Sequence, residues 1–410
     1  KKAPVMRFQG FSDDWEQREL GELATKIGSG KTPRGGSSVY TQSGIPLLRS
    51  QNIYDDKVSF EDVAFINDST DEDMANSRVN RGDVLLNITG ASIGRSAVYE
   101  LSATANVNQH VCIIRPSSNV HSYFIQLNLA SSEGQKQIEL NQAGGGREGL
   151  NFQQIAKMSF YYPSLEEQIK LGVFFQQLNK TIALHQRMSD KQKKLKANLL
   201  QMMFPRNGEK IPEVRLAGFA EDWAQRTLED ISDKVTEKNK AREFTETLTN
   251  SAEYGIISQS DFFDKDISNI NNIDGYYVVR PDDFVYNPRI SNFAPVGPIK
   301  RNNLNRIGIM SPLYYVFRPK GVDHTFLEKY FETSYWHIFM KMNGDSGARA
   351  DRFAIKDAIL KEMPIPYPVK EEQVRIGIFF NQLDKSIALH QEKIAHLKTL
   401  KTTLLNKMFI

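Results

Sequence analysis

Tyr162–Phe204 reads YPSLEEQIKLGVFFQQLNKTIALHQRMSDKQKKLKANLLQMMF, and Tyr367–Phe409 reads YPVKEEQVRIGIFFNQLDKSIALHQEKIAHLKTLKTTLLNKMF. The second stretch repeats the first without a gap, and about half of its positions are identical. In the second copy Ile376, Phe380, Leu383, Ile387, His390, Ile394, Leu397, Leu404 and Met408 recur at alternating four- and three-residue spacing, broken at Lys401. The first copy keeps the register at Leu171, Phe175, Leu178, Ile182, His185, Leu199 and Met203, weakened at Ser189 and Gln192. Such a heptad stripe specifies a long helix with one apolar seam. The seam needs a partner, and the other copy supplies one, so the repeats are expected to pair as two long antiparallel helices in a coiled coil. Each helix of about 38 residues would be roughly 57 Å long. His185 and His390 belong to the seam on this reading and are not metal ligands.

Working outward, Gly10–Trp15 (GFSDDW) returns as Gly218–Trp223 (GFAEDW). The chain is therefore two tandem units with matching ends and different middles, related by a pseudo-twofold internal repeat. The middles read as mixed α/β (α+β). Asp83-Val84-Leu85-Leu86-Asn87 and Val111-Cys112-Ile113-Ile114-Arg115-Pro116 are short apolar strands in the first. Asp283-Phe284-Val285-Tyr286-Asn287 and Tyr314-Tyr315-Val316-Phe317-Arg318-Pro319 follow in the same order in the second. The expected organisation is a domain over 1–160, a helical spacer over 161–208, a second domain over 209–365 and a second spacer over 366–410.

Composition sets limits. The 410 residues, with 40% hydrophobic and 25% charged content, suffice for more than one core. No apolar run reaches bilayer length, and the opening Lys-Lys-Ala-Pro lacks the apolar centre of a signal peptide, so the expectation is a cytoplasmic protein with no membrane partner. The single Cys112, flanked by Val111, Ile113 and Ile114, reads as an inert buried thiol. A net charge of +3 permits nucleic-acid binding only if the cations cluster.

No catalytic pattern stands. Gly28-Ser29-Gly30-Lys31-Thr32 resembles the end of a phosphate loop, but Thr25 replaces its first glycine and Pro33 prevents the helix that should follow. Asn287-Pro288 continues as Arg289-Ile290, not as the Pro-aromatic pair of amino-methyltransferases. The seven histidines form no HExxH pattern, so no catalytic and no metal-ligating residue is assigned.

The middles do carry loops that combine cations, amides and hydroxyls beside glycine, the groups that reach phosphates and base edges. In the first half the candidates are Lys31, Thr32, Arg34, Ser37, Arg49, Asn52, Asn87, Thr89, Ser92, Arg95, Asn108, Gln109 and Arg147. In the second they are Lys238, Lys240, Arg242, Gln259, Tyr286, Asn287, Arg289, Ser291, Asn292, Arg301, Arg349 and Arg352.

Taken together, these residues give the chain a resemblance to the specificity subunits of type I restriction-modification systems. It rests on Gly-Phe-x-x-x-Trp, Leu20-Gly21-Glu22-Leu23, the Gly30-Lys31-Thr32-Pro33 turn, Gly82-Asp83-Val84-Leu85, Gly94 after Ile88-Thr89-Gly90, and Pro163–Gln168 and Pro368–Gln373 leading into the twin helices. The second half lacks the Lys-Thr-Pro turn and the Thr-Gly-Ala-Ser-Ile-Gly run. The resemblance implies two target recognition domains that bind double-stranded DNA at a bipartite site, one half-sequence each. It implies a non-catalytic chain whose helices dock two methyltransferase (modification) subunits for adenine methylation, with restriction subunits added for cleavage. S-adenosylmethionine would then belong to the modification subunits, and ATP and Mg to the restriction subunits, with no cofactor on this chain. The competing reading is a two-headed adaptor that binds proteins, not DNA, on the same coiled coil.

Overall fold

Both copies of the repeat are single unbroken helices in the computed structural model: Leu165–Met202 with 38 residues and Lys370–Met408 with 39. Each begins just after a proline, and two glutamates in the first turn, Glu166 and Glu167 or Glu371 and Glu372, complement the positive end of the helix. The structure describes residues 2–142, 149–262, 270–345 and 351–410. Among them no helix is long and apolar enough to cross a membrane. The chain divides into a first compact unit, Lys1–Arg187 with Gln391–Ile410, and a second, Met188–His390.

In the first unit, Ala24–Ser29, Val111–Pro116, Val84–Asn87 and Ser96–Val98 form a four-stranded sheet in that order, every neighbour antiparallel. The two strands legible in the sequence are its centre, which is why Val84, Leu85, Leu86, Val111, Cys112, Ile113 and Ile114 are all buried. A second sheet runs Ala64–Ile66, Ile45–Leu48, Ala105–Val107, Arg78–Val79, with the middle pair parallel. Glu16–Glu19 pairs with Ser159–Tyr162 beside the helix start.

The second unit repeats the central order with Ser232–Lys234, Tyr315–Pro319, Phe284–Tyr286 and Ile299–Arg301. Ala224–Thr227 likewise pairs with Pro364–Tyr367. Its middle differs: a hairpin of Leu248–Ser251 with Gly255–Ser258 and a pair of Tyr277–Val279 with Gly308–Met310 replace the second sheet.

Equivalent contacts recur inside the two units. In the first, the rings of Trp15, Phe124, Phe175 and Phe409 interlock, with Phe124 and Phe409 5.3 Å apart and Phe175 and Phe409 6.0 Å apart. In the second, Trp223, Phe326, Phe380 and Phe204 do the same, with Phe204 5.3 Å from Phe326 and 6.5 Å from Phe380. Arg7 grips Glu167 through two hydrogen bonds of 2.7 Å, and Arg215 grips Glu372 at 2.7 and 2.8 Å. Arg115 clamps Asp83 as Arg318 clamps Asp283. These fork-shaped pairs, each with an almost fully buried carboxylate, fix angle as well as distance.

Burial varies along the seam positions. Phe175, Phe380, Ile387, Ile394 and Leu397 are buried, while Leu178, Ile182, His185, Leu199, Leu383, His390 and Leu404 are half-buried. In the second unit Gln192 donates to the Ser386 hydroxyl at 2.9 Å while Phe204 meets Phe380, so the two helix segments run antiparallel. Ser189 is fully buried there, and its hydroxyl has no partner among the described residues. Lys401, which interrupts the stripe, is ion-paired with Asp56 in the first unit. The equivalent Lys196 in the second reaches Glu332 at 2.7 Å and Asp384 at 2.6 Å.

Candidate nucleic-acid interface

In the first unit the antiparallel register brings the end of Ala24–Ser29, the end of Val84–Asn87 and the start of Val111–Pro116 to one edge of the sheet. Loops carrying Lys31 and Thr32, Thr89 to Arg95, and Asn108 to His110 therefore emerge side by side. Gly30 is required where two of them touch: a Cβ there would lie 1.6 Å from the Val107 carbonyl oxygen. The Asn87 amide nitrogen donates to the Ser50 carbonyl at 2.9 Å and to the Ser92 hydroxyl at 3.1 Å, tying in the loop that follows Ile45–Leu48.

A chain of hydrogen bonds crosses this edge. The Thr32 hydroxyl meets Gln109 Oε1, Gln109 Nε2 lies 3.1 Å from His110 Nε2, and His110 Nδ1 lies 2.6 Å from Thr89 Oγ1. Thr32, Thr89 and Gln109 are thus brought together, with His110 as the hub. Asn108 accepts from the His110 amide at 3.1 Å and holds the turn. Arg34 and Ser37 are exposed on the loop that follows Thr32. Arg95 is exposed 6.0 Å from the Tyr54 ring centre. The Lys31 ammonium is hydrogen-bonded to the Asp73 carbonyl.

Other candidates of the first half serve the fold. Asn52 is buried, its Oδ1 accepting from the Arg49 amide at 3.0 Å and its Nδ2 donating to Glu61 at 3.2 Å. Arg49 donates to the Asp62 carbonyl at 2.8 Å and leans on Tyr40.

The second unit builds its edge the same way. The Asn287 amide nitrogen donates to the Asn250 carbonyl at 2.8 Å, as Asn87 does to Ser50. Residues 351–353 run beside 288–290, with Ile290 donating to Asp351 at 3.0 Å and Phe353 to Pro288 at 2.7 Å. Arg289 and Arg352 are therefore neighbours. Together with Gln259 and Asn287 they line a cleft of about 260 Å³ whose walls include Thr247, Ser311 and Tyr314. Ser291 and Asn292 lie in a turn closed by mutual bonds of 3.1 Å between Ser291 and Ala294; its tip carries Phe293, 78% exposed. Lys238 sits 3.3 Å above the Tyr277 ring centre, and Lys240 and Arg242 are exposed nearby in sequence.

Two second-half candidates point elsewhere. Tyr286 is buried and donates to the Val296 carbonyl at 3.0 Å; burial pushes its phenol well above the ordinary range. Arg301 pairs in register with Phe284, at the far end of the same strand from Tyr286, and is held by Asp282 at 2.8 Å and Glu328 at 3.3 Å. Arg147 and Arg349 lie outside the described residues. Sequence reasoning passed over Thr247, Ser311, Tyr314 and Phe293. Only the last left a signal, an aromatic residue inside a polar turn. Among the described residues no group of three metal-ligating side chains occurs.

The family described as type I restriction modification DNA specificity domain matches this sequence twice, over residues 12–194 and 220–399, which together make up most of the chain. A protein of Methanocaldococcus jannaschii provisionally named type I restriction enzyme MjaX specificity subunit is 22% identical over 419 aligned residues, covering 96% of this chain and 92% of its own. Among solved structures, the S subunit of a type I restriction-modification system from M. genitalium superimposes with a TM-score of 0.56 at 12% identity, over 100% of this chain and 99% of that one. A chain from a study of complex assembly and conformational transition of the type I R-M system gives 0.52 at 18% identity, over 96% and 97%. At these identities the likeness to solved structures establishes the shared fold.

Proposed function

The chain belongs to the type I restriction modification DNA specificity family, and from that premise we propose that this specificity subunit reads a bipartite duplex site, one half-sequence per unit. The observation that carries this reading is the repeated frame with unlike contents. Asn87 and Asn287 lock equivalent loops to the backbones of Ser50 and Asn250. One frame then displays Thr32, Thr89 and Gln109, and the other Gln259, Arg289 and Arg352. Exposed Arg34, Arg95, Lys240 and Arg289 suit phosphate contacts, which position a protein without reading sequence. The amides and hydroxyls between them suit base edges. Unlike side chains on one frame mean two different half-sequences.

The helices are read as the dock for methyltransferase subunits. Besides the seam, each leaves apolar residues exposed at eleven-residue spacing: Val173, Leu184 and Leu195 on one, Ile378, Leu389 and Leu400 on the other. Eleven residues make about three turns, so the three share a face. The same positions in both copies suit two copies of one partner. Chemistry then belongs to the partners: S-adenosylmethionine to the modification subunits, and ATP and Mg to the restriction subunits, with this chain contributing selection alone.

The test is a gel shift of the subunit assembled with its methyltransferase on duplex DNA, across a range of salt. Binding should weaken steeply with salt, by roughly a thousandfold or more between 50 and 200 mM if six or more phosphates are neutralised. A complex that ignores DNA but captures protein would establish the adaptor reading instead.

A further inference from the structure

The cleft in the second unit contains an unanswered acceptor. Gln259 Oε1 is buried and has no hydrogen-bond partner among the described residues, while the Gln259 backbone amide is fixed by the Thr247 carbonyl at 2.8 Å. A buried carbonyl oxygen left unpaired is costly, and its persistence calls for a donor that arrives from outside. Among the described residues no carboxylate lines this cleft, but Arg289 and Arg352 do. The site therefore suits a ligand that is anionic overall and offers an N–H where Gln259 waits. A nucleic acid combines both: phosphates for the guanidinium groups and the exocyclic amino group of adenine or cytosine for the amide oxygen. The first unit shows the contrast, since its Gln109 has both amide atoms engaged, one by Thr32 and the other by His110.

We infer that Gln259 is a specificity-determining residue of the second half-site, accepting from the amino group of one base while Arg289 and Arg352 hold the adjoining backbone. This rests on the DNA-reading function proposed above. Adenine would engage both amide atoms, its N6 donating to Oε1 and its N7 accepting from Nε2; cytosine would use Oε1 alone.

The test uses the chain assembled with its methyltransferase subunits, and sequencing of methylated positions in cells carrying the system. Gln259→Leu should relax one position of the second half-site, leave the first half-sequence unchanged, and weaken binding to the original site roughly ten- to a hundredfold. Gln259→Glu keeps an acceptor but loses the donor, so it should retain preference if the base is cytosine and lose it if adenine. A second arm leaves the protein intact and replaces single bases of the second half-site by analogues without the amino group. One replacement should weaken wild-type binding, and the same replacement should make no further difference with Gln259→Leu. An unchanged motif with affinity within about twofold in both variants, or no sensitive amino group, overturns the assignment. Failure of the wild-type complex to bind any duplex overturns the function on which it rests.

Discussion

Asp71 shows how a single carboxylate on a short helix, Asp68–Asp73, ties the first unit together. It is buried, accepts from Arg78 Nε at 3.0 and 3.1 Å, and also accepts from the Asn106 side chain. The Arg78 hydrogen bond holds its carboxyl below the usual range, and Asn106 adds to that against the opposing effect of burial. A carboxylate whose acidity is greater folded than unfolded stabilises the fold above its unfolded value of about 3.9, and the stabilisation disappears as pH falls through the folded value. Wild-type protein should therefore lose melting temperature between about pH 5 and pH 3. Asp71→Asn should start lower at pH 7 and lose less across that interval; parallel curves would show that Asp71 is not the group responsible. Residues of this kind also mark where sequence stops being legible. Asn52, Tyr286 and Arg301 have the chemistry of DNA contacts, yet the fold turns Asn52 and Tyr286 inward and occupies Arg301 with Asp282 and Glu328. A polar side chain between two apolar neighbours has the same letters whether it caps a turn or faces a ligand. Only the partner distances separate the two.

Helices and strands were more legible, because periodicity reports burial directly. Alternating four-three spacing marks both long helices, and the paired apolar runs mark the central strands of the four-stranded sheet in each unit. The second sheet of the first unit was not legible: Ala64–Ile66, Arg78–Val79 and Ala105–Val107 are too short to show a period. The irregularities in the seam have separate fates. Lys401 reaches past it to Asp56, and Gln192 finds Ser386, but the Ser189 hydroxyl is sealed in without a partner among the described residues. An unpaired buried hydroxyl costs free energy, and serine is a weaker helix former than alanine. Ser189→Ala should therefore stabilise the protein by about 1 kcal/mol, visible as a higher denaturant midpoint with an unchanged slope. A lower midpoint would mean that the hydroxyl does pair in solution.

On the scale of the whole molecule, the repeat makes each unit depend on both helices. The first unit takes the start of Leu165–Met202 and the end of Lys370–Met408 into its core through Phe175 and Phe409. The second takes the complementary parts through Phe204 and Phe380. If the helices set the separation of two DNA-reading surfaces, their length is a variable independent of what either surface reads. A block of seven residues preserves the heptad register, so the seam survives its insertion at equivalent places in both helices. It lengthens a helix by about 10 Å, close to three base pairs of duplex at 34 Å per turn of about ten. Such a variant, assembled with its methyltransferase, should methylate a site with the same two half-sequences and a spacer longer by about three base pairs. The motif read from methylated genomic DNA decides it: altered half-sequences, or an unaltered spacer in an active enzyme, would mean that something other than the helices sets the distance.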